Sequence, residues 1–296
     1  MIHRTVGIIG AGPSGITAGI QLTRYGISTI LIEGKHPGGL LRNANWVENY
    51  PGFPTGISGE DLADLMTRQI EGMGVEMITD VIQSIRWDGE VFILDSAKNQ
   101  ISCNLLILAS GTKPIQLPEN VVHHSAKAAV FYEVTQMPCS HPAKIAIIGG
   151  GDAAFDYALH LCPHHQVTIY YRGAKARCLP LLWQRAVIAP TIQITPFTQV
   201  ESIHRSGNGR LELALHHRGE NHTQQVDFVL VAIGRQPALD FLSPALLQQM
   251  HELERKGRCF RIGDVHNGFF RQTAIAVGDG MRAAMQIAQS LQELTL

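Results

Sequence analysis

The sequence predicts an α/β chain in which one strand–turn–helix plan is used twice, the second copy inserted into the first. Three observations carry this reading. A Gly-rich turn between an apolar strand and a helix occurs at Gly10-Ala-Gly12-Pro13-Ser14-Gly15 and again at Gly149-Gly-Gly151-Asp152-Ala153-Ala154. In each copy the next strand closes 23 positions after the first glycine, on Glu33 and on Arg172. Both copies finish on an A-x-G-x-x-P turn, at Ala109 to Pro114 with Gly111 and at Ala232 to Pro237 with Gly234.

In the first copy, residues 6–9 form the strand, the helix runs to Tyr25, and residues 28–32 form the second strand. Gly10 serves the tight turn, Gly12 the close approach of a pyrophosphate, and Gly15 the packing of helix on strand. The helix start adds free amide N–H groups and a positive dipole end. Glu33 then stands where an acid accepts hydrogen bonds from an adenosine ribose, so the site is a dinucleotide site for an unphosphorylated ribose. Strands at 74–79, 81–87, 91–95 and 101–108 follow, and lead to the first closing turn.

The second copy has a strand at 144–148, a helix at 152–161 and a strand at 166–171. Arg172 takes the slot of Glu33, and an Arg there accommodates a 2′-phosphate. Lys175 and Arg177 add positive charge, so this site favours NADP over NAD. Strands at 191–195, 200–205, 211–216 and 226–231 complete the copy, each copy carrying a small antiparallel insert. The two Pro-marked turns are read as crossings between domains, which places the domains at 1–112, 113–236 and 237–296. A polar helix at 244–256, the segment Phe260-Arg-Ile-Gly263-Asp264, and a long helix opening at Arg271-Gln272-Thr273 complete the first domain.

Composition narrows the function classes. With 45% apolar residues and 29 glycines, the 296-residue chain is globular and long enough for two cores. A net charge of −1 without runs of one sign gives no sign of a nucleic-acid or anionic-membrane partner, and none is expected. The apolar start VGIIGAGPSGITAGI has the Gly and Pro spacing of strand–turn–helix rather than of a leader, and no other run reaches membrane-spanning length. The fourteen His lack zinc spacing, so no metal is expected. Cys103, Cys139, Cys162, Cys178 and Cys259 contain no C-x-x-C and fit reduced, cytoplasmic thiols.

Together these motifs, with Gly38-Gly39-Leu40-Leu41 and Val47-Glu-Asn49-Tyr-Pro-Gly-Phe-Pro, resemble the low-molecular-weight thioredoxin reductase family of two-domain FAD/NAD(P) flavoproteins. The resemblance covers nearly the whole chain. It implies FAD at the first site, held by Gly10, Gly12, Pro13, Ser14, Gly15 and Glu33, with Val81, Ala109 and Gly111 beside them. Gly38, Gly39, Leu40, Leu41 and Asn49 then lie along the flavin, with Gly263 and Asp264 at the ribityl chain. Arg271, Gln272 and Thr273 meet the isoalloxazine, at a helix start suited to negative charge. NADP(H) falls to Gly149, Gly151, Asp152, Ala153, Ala154, Arg172, Lys175, Arg177 and Gly234. The family also implies a homodimer.

Three departures matter. The redox dithiol of that family is missing: anchoring on Phe131-Tyr132 puts His124 and Lys127 at the cysteine positions and Ala128 at the acid, and no Cys lies between Cys103 and Cys139. Leu40 replaces a polar residue in the flavin loop, where Arg42, Asn43 and Asn45 contact substrate or FAD, or are simply solvated. The chain stops at Leu296, without the aromatic extension of related ferredoxin–NADP reductases. The expected activity is electron transfer from NADPH through FAD to a separate protein, such as a ferredoxin or another iron–sulfur protein. The alternatives are turnover of a small disulfide or quinone, with His124 or Lys127 as proton donor, and a low-turnover flavin redox sensor.

Overall fold

The computed structural model describes residues 2–138 and 141–293, so Cys139 and Leu296 lie outside the described residues. The chain divides into two compact units. The first comprises Met1–Arg42, Val47–Lys113 and Gln236–Leu296; the second comprises Asn43–Trp46 and Pro114–Arg235.

The first unit opens with β1 (Ile2–Ile9), α1 (Pro13–Arg24), β2 (Thr29–Glu33), α2 (Gly59–Gly72) and β3 (Met77–Thr79). Then come β4 (Ile82–Trp87), β5 (Phe92–Ser96) and β6 (Gln100–Leu108). The strand order is β3-β2-β1-β6-β5-β4. Ile8 is level with Leu31 and with Ile107 in parallel ladders, and all three side chains are fully buried. Such apolar strands are what a sheet covered on both faces requires. Pro13 begins α1 where an N–H has no helical partner to lose. Ser58 caps α2, its Oγ accepting the Asp61 N–H at 3.0 Å.

A short crossing strand, β7 (Thr112–Pro114), leads into the second unit. There β8 (Val130–Phe131), β9 (Lys144–Ile148), α3 (Asp152–Leu161), β10 (Gln166–Tyr170), α4 (Pro180–Ile188) and β11 (Ile192–Thr195) are followed by β12 (Thr198–Arg205), β13 (Leu211–His217), β14 (Glu220–Val226) and β15 (Phe228–Val231). A parallel sheet runs β11-β10-β9-β15-β8, and β12-β13-β14 form a separate antiparallel sheet. The return crossing, β16 (Arg235–Pro237), pairs with β7. The first unit then adds α5 (Pro244–Arg255), β17 (Cys259–Arg261) and α6 (Thr273–Glu293).

Two expectations need correction. The strand placed at 226–231 is the end of β14, a break at Asp227, and β15. In the first unit the antiparallel strands are not a separate insert but extend the main sheet. The reason is that β6 has two partners on one edge: Phe92 of β5 pairs with Cys103, and Cys259 of β17 pairs with Leu106.

Two bulky residues adopt left-handed backbone, Phe197 at φ 56° and Arg218 at φ 51°. Arg218 and Gly219 form the two-residue turn between β13 and β14, which demands positive φ at both positions. Phe197 lies between β11 and β12. Each such residue costs on the order of 1–2 kcal/mol. Among the described residues no helix is long and apolar enough to cross a membrane.

Candidate functional site

In the first unit the Gly-rich turn lies at the carboxyl end of β1. Its glycines divide by function. A Cβ on Gly10 would stand 2.4 Å from the Ala109 carbonyl oxygen, and one on Gly15 only 1.9 Å from that of Gly10. These two positions are glycine because the fold needs them so. A Cβ on Gly12 meets nothing within 4 Å, and its φ of −73° suits any residue. That space serves no packing in the chain and is wide enough to admit a phosphate group. The flavin-loop glycines lie against it: Gly38 N–H donates to the Ala11 carbonyl at 2.7 Å, and a Cβ on Gly39 would reach 3.3 Å from Gly12 Cα.

Glu33 faces the turn from the end of β2. Its two oxygens accept the Ala11 N–H at 2.7 Å and the Lys35 N–H at 2.8 Å. The carboxylate is thereby fixed, and each oxygen keeps a lone pair for a ribose hydroxyl. Val81 is 58% exposed beside Gly34 at the adjoining strand end. Gly111 adopts φ 64°, just after the buried Ala109.

Gly263 adopts φ 71°, and a Cβ there would meet Ser14 Oγ at 2.6 Å. This close approach brings Asp264 to the α1 start. Asp279, inside α6, accepts the Gly263 N–H at 3.2 Å and the Asn267 amide at 2.6 Å. Sequence reasoning missed Asp279; its one signal was an acid between glycines in an otherwise apolar helix. Gln272 accepts the Asn49 amide at 2.8 Å, which ties the 47–53 loop to the start of α6 beside Arg271 and Thr273. Leu40 and Leu41 lie in a single 3-10 turn, Leu41 buried and Leu40 half-buried.

Two flavin-loop side chains and one main-chain amide bond within the chain itself. Arg42 donates to the Pro37 carbonyl at 2.6 Å and pairs with Asp64 at 2.8 Å, bracing the Gly38-Gly39 segment. Asn43 accepts the Thr135 hydroxyl at 2.9 Å, and the Asn45 N–H donates to Asp156 at 2.8 Å. Burial pushes the Asp156 carboxyl up to about 6. The folded state therefore holds this proton more tightly than the unfolded chain does. The associated stability is fully present below about pH 4 and is lost as pH rises through about 6. Asp156→Asn is expected to flatten the fall in urea midpoint between about pH 4 and 6. An unchanged slope would assign that fall to other carboxyls.

The second unit repeats the cradle at the carboxyl end of β9. Gly149 has φ 149°, with the Ala232 carbonyl 2.2 Å from its would-be Cβ, whereas Gly151 again faces open space. The 173–179 segment lies along this turn. Arg177 N–H donates to the Gly150 carbonyl at 2.6 Å, and Leu179 N–H donates to Asp152 Oδ1 at 2.7 Å. Arg172 and Lys175 are exposed at the neighbouring end of β10. Ala153 and Ala154 form the first turn of α3, and Gly234 adopts φ 122° after β15. Small residues at the start of α3 and three basic side chains close by together fit a phosphorylated dinucleotide.

His124 and Lys127 do not join this cradle. They lie on a 3-10 segment, His124–Ala129, that leads into β8. Because β8 runs parallel to β15 and β9, that segment lies toward the end where the strands begin, opposite Gly149–Gly151. Lys127 faces Glu119 at 4.0 Å on the surface. Neither side chain lines the Gly149–Gly151 turn.

Two dinucleotide cradles, one in each unit of a doubly wound α/β chain, define a nicotinamide-linked flavoprotein oxidoreductase. The chain belongs to the pyridine nucleotide-disulphide oxidoreductase family, whose model matches residues 4–280. It is 30% identical over 313 residues to thioredoxin reductase of Chlamydia pneumoniae, covering 98% of this chain and 100% of that one. It is 28% identical to NADPH-dependent thioredoxin reductase 3 of Arabidopsis thaliana, covering 98% of this chain and 59% of that longer protein. Among solved structures, Lactococcus lactis thioredoxin reductase in its FR conformation superposes with a TM-score of 0.84 at 27% identity, covering 97% and 98% of the two chains.

Proposed function

We propose that this chain is an NADPH-dependent flavin reductase that passes electrons from FAD to a separate protein, such as a ferredoxin or another iron–sulfur protein, without a dithiol of its own. The observation that carries the reading is the combination of two complete cradles with the missing cysteines between Cys103 and Cys139. The chemistry supplied at the first cradle is hydride acceptance from NADPH and release of electrons one at a time by FAD. The chain's own residues bind and orient. Glu33 holds the adenosine ribose, Gly12 and Gly39 admit the pyrophosphate, and Asp264 takes the ribityl hydroxyls. The α6 start at Thr273 favours negative charge at the ring end. Phe269 and Phe270, immediately before Arg271, are 102% and 76% exposed. A pair of large bare aromatics beside the ring-binding segment suits a protein acceptor better than a small molecule.

The test is stopped-flow reduction of the flavin by NADPH and by NADH, followed by a screen of acceptors. Fast reduction by NADPH and onward reduction of ferredoxin are expected; turnover of only small disulfides or quinones would overturn the protein-acceptor reading. For nicotinamide choice, Arg172→Ala and Arg177→Ala are each expected to raise the NADPH Kd about tenfold while leaving NADH unchanged, since one charge-assisted contact to the 2′-phosphate is lost. Equal Kd values for both nicotinamides in the unaltered protein would refute the NADP assignment.

A further inference from the structure

We infer that Phe197, stacked under Arg218, is the adenine platform of the nicotinamide nucleotide in the second unit; the inference rests on the NADPH reading above. The two strained residues of the unit touch one another. The Arg218 guanidinium lies 5.2 Å from the Phe197 ring centroid, and Arg218 N–H meets the Phe197 carbonyl at 3.4 Å. The strain at Arg218 has a local cause in the β13–β14 turn. At Phe197 backbone hydrogen bonds to Gly173 and Arg218 hold the conformation, yet Asn or Gly would adopt it without strain, so the loop itself does not call for an aromatic. The ring is nevertheless 42% exposed, so burial does not explain a large aromatic there. Bulky residues kept in left-handed backbone tend to sit at ligand clamps.

The sheet order places the pair where an adenine would fall. β9, β10 and β11 are adjacent and parallel, so their carboxyl ends lie side by side, about 4.8 Å apart. The Gly149–Gly151 turn follows β9 and takes the pyrophosphate. Arg172 follows β10 and takes the ribose phosphate. Phe197 follows β11, one strand further out, where the base attached to that ribose extends. Its backbone is fastened to the basic loop: Phe197 N–H donates to the Gly173 carbonyl at 3.3 Å, and Thr198 N–H to that of Tyr171 at 3.0 Å. A base lying on the ring would meet an aromatic face already backed by a cation, a combination common to base-stacking sites.

The experiment uses the full chain with FAD bound. Binding of 2′,5′-ADP, which carries the adenine and the 2′-phosphate but no nicotinamide, is measured by calorimetry alongside thermal midpoints. Phe197→Asn is expected to raise or preserve the midpoint, because it relieves the left-handed strain, and to weaken 2′,5′-ADP about three- to tenfold. Phe197→Tyr, which keeps the ring, should bind like the unaltered protein. Arg218→Asn, suited to the turn, should weaken binding in the same direction. Undiminished 2′,5′-ADP binding by Phe197→Asn would overturn this inference alone. Failure of the unaltered protein to bind 2′,5′-ADP would overturn the NADPH reading with it.

Discussion

Gly12→Ala is expected to yield a folded protein without flavin colour. The added methyl meets no atom of the chain within 4 Å, and φ −73° is ordinary for alanine. The apo fold should keep its thermal midpoint or gain slightly from a stiffer unfolded chain. A bound pyrophosphate, by contrast, must approach that Cα closely, and a methyl there displaces it from the α1 amides. FAD affinity should fall at least about a hundredfold, equivalent to some 2.7 kcal/mol. Gly15→Ala is the matched control. Its methyl would sit 1.9 Å from the Gly10 carbonyl oxygen, so it should lower the midpoint of the apo protein itself. Flavin absorbance per chain and apo unfolding curves measure both effects. If Gly12→Ala purified with full flavin content, the cradle would not be the FAD site.

Thioredoxin should not be reduced above the no-enzyme rate when NADPH is supplied. A dithiol relay needs two neighbouring thiols, one of them readily ionised. The sequence has no C-x-x-C. Cys103 and Cys259 are buried in the first unit, where loss of solvent pushes both thiols up, Cys103 to about 12. At pH 7 a thiol with that pKa is ionised in about one molecule in 10⁵. Cys162 and Cys178 are half-buried, and burial raises both of these thiols as well. The insulin-coupled assay, run with Cys139→Ser in parallel, checks this. Sustained NADPH-dependent turnover of thioredoxin by either protein would mean that a thiol pair forms elsewhere.

What the sequence disclosed, and what it hid, follows from how local each signal is. The turns at Gly10–Gly15 and Gly149–Ala154, the strand ends at Glu33 and Tyr170 and the strand 144–148 were legible because turn chemistry and apolar runs act over a few residues. Strand β14 was not: ENHTQQV is an edge strand whose partner, β13, supplies the ladder while every side chain but Val226 stays in water. Asp279 was hidden for a different reason, since its partners at Gly263 and Asn267 lie across a turn that no periodicity reports. Arg42 and Asn43 had the right chemistry for a ligand, but in the fold Pro37, Asp64 and Thr135 already bond their side chains. Phe197 was silent because nothing in a Pro-Phe-Thr string announces a left-handed backbone.

The two ladders on one edge of β6 bear on how this protein reaches its native state during synthesis. Leu106 to Leu108 have no neighbour on that side until Cys259–Arg261 is made, some 150 residues later. The α1 surface around Ser14 likewise waits for Gly280, whose missing side chain lets α6 approach to within van der Waals contact. The intervening Pro114–Arg235 is nearly continuous and can close its own sheet while still tethered to the ribosome. The nascent chain should therefore complete its middle first and carry an open, apolar strand end at its beginning. That order makes the unfinished N-terminal half the stretch most exposed to misassociation, and the segment for which chaperone protection matters most.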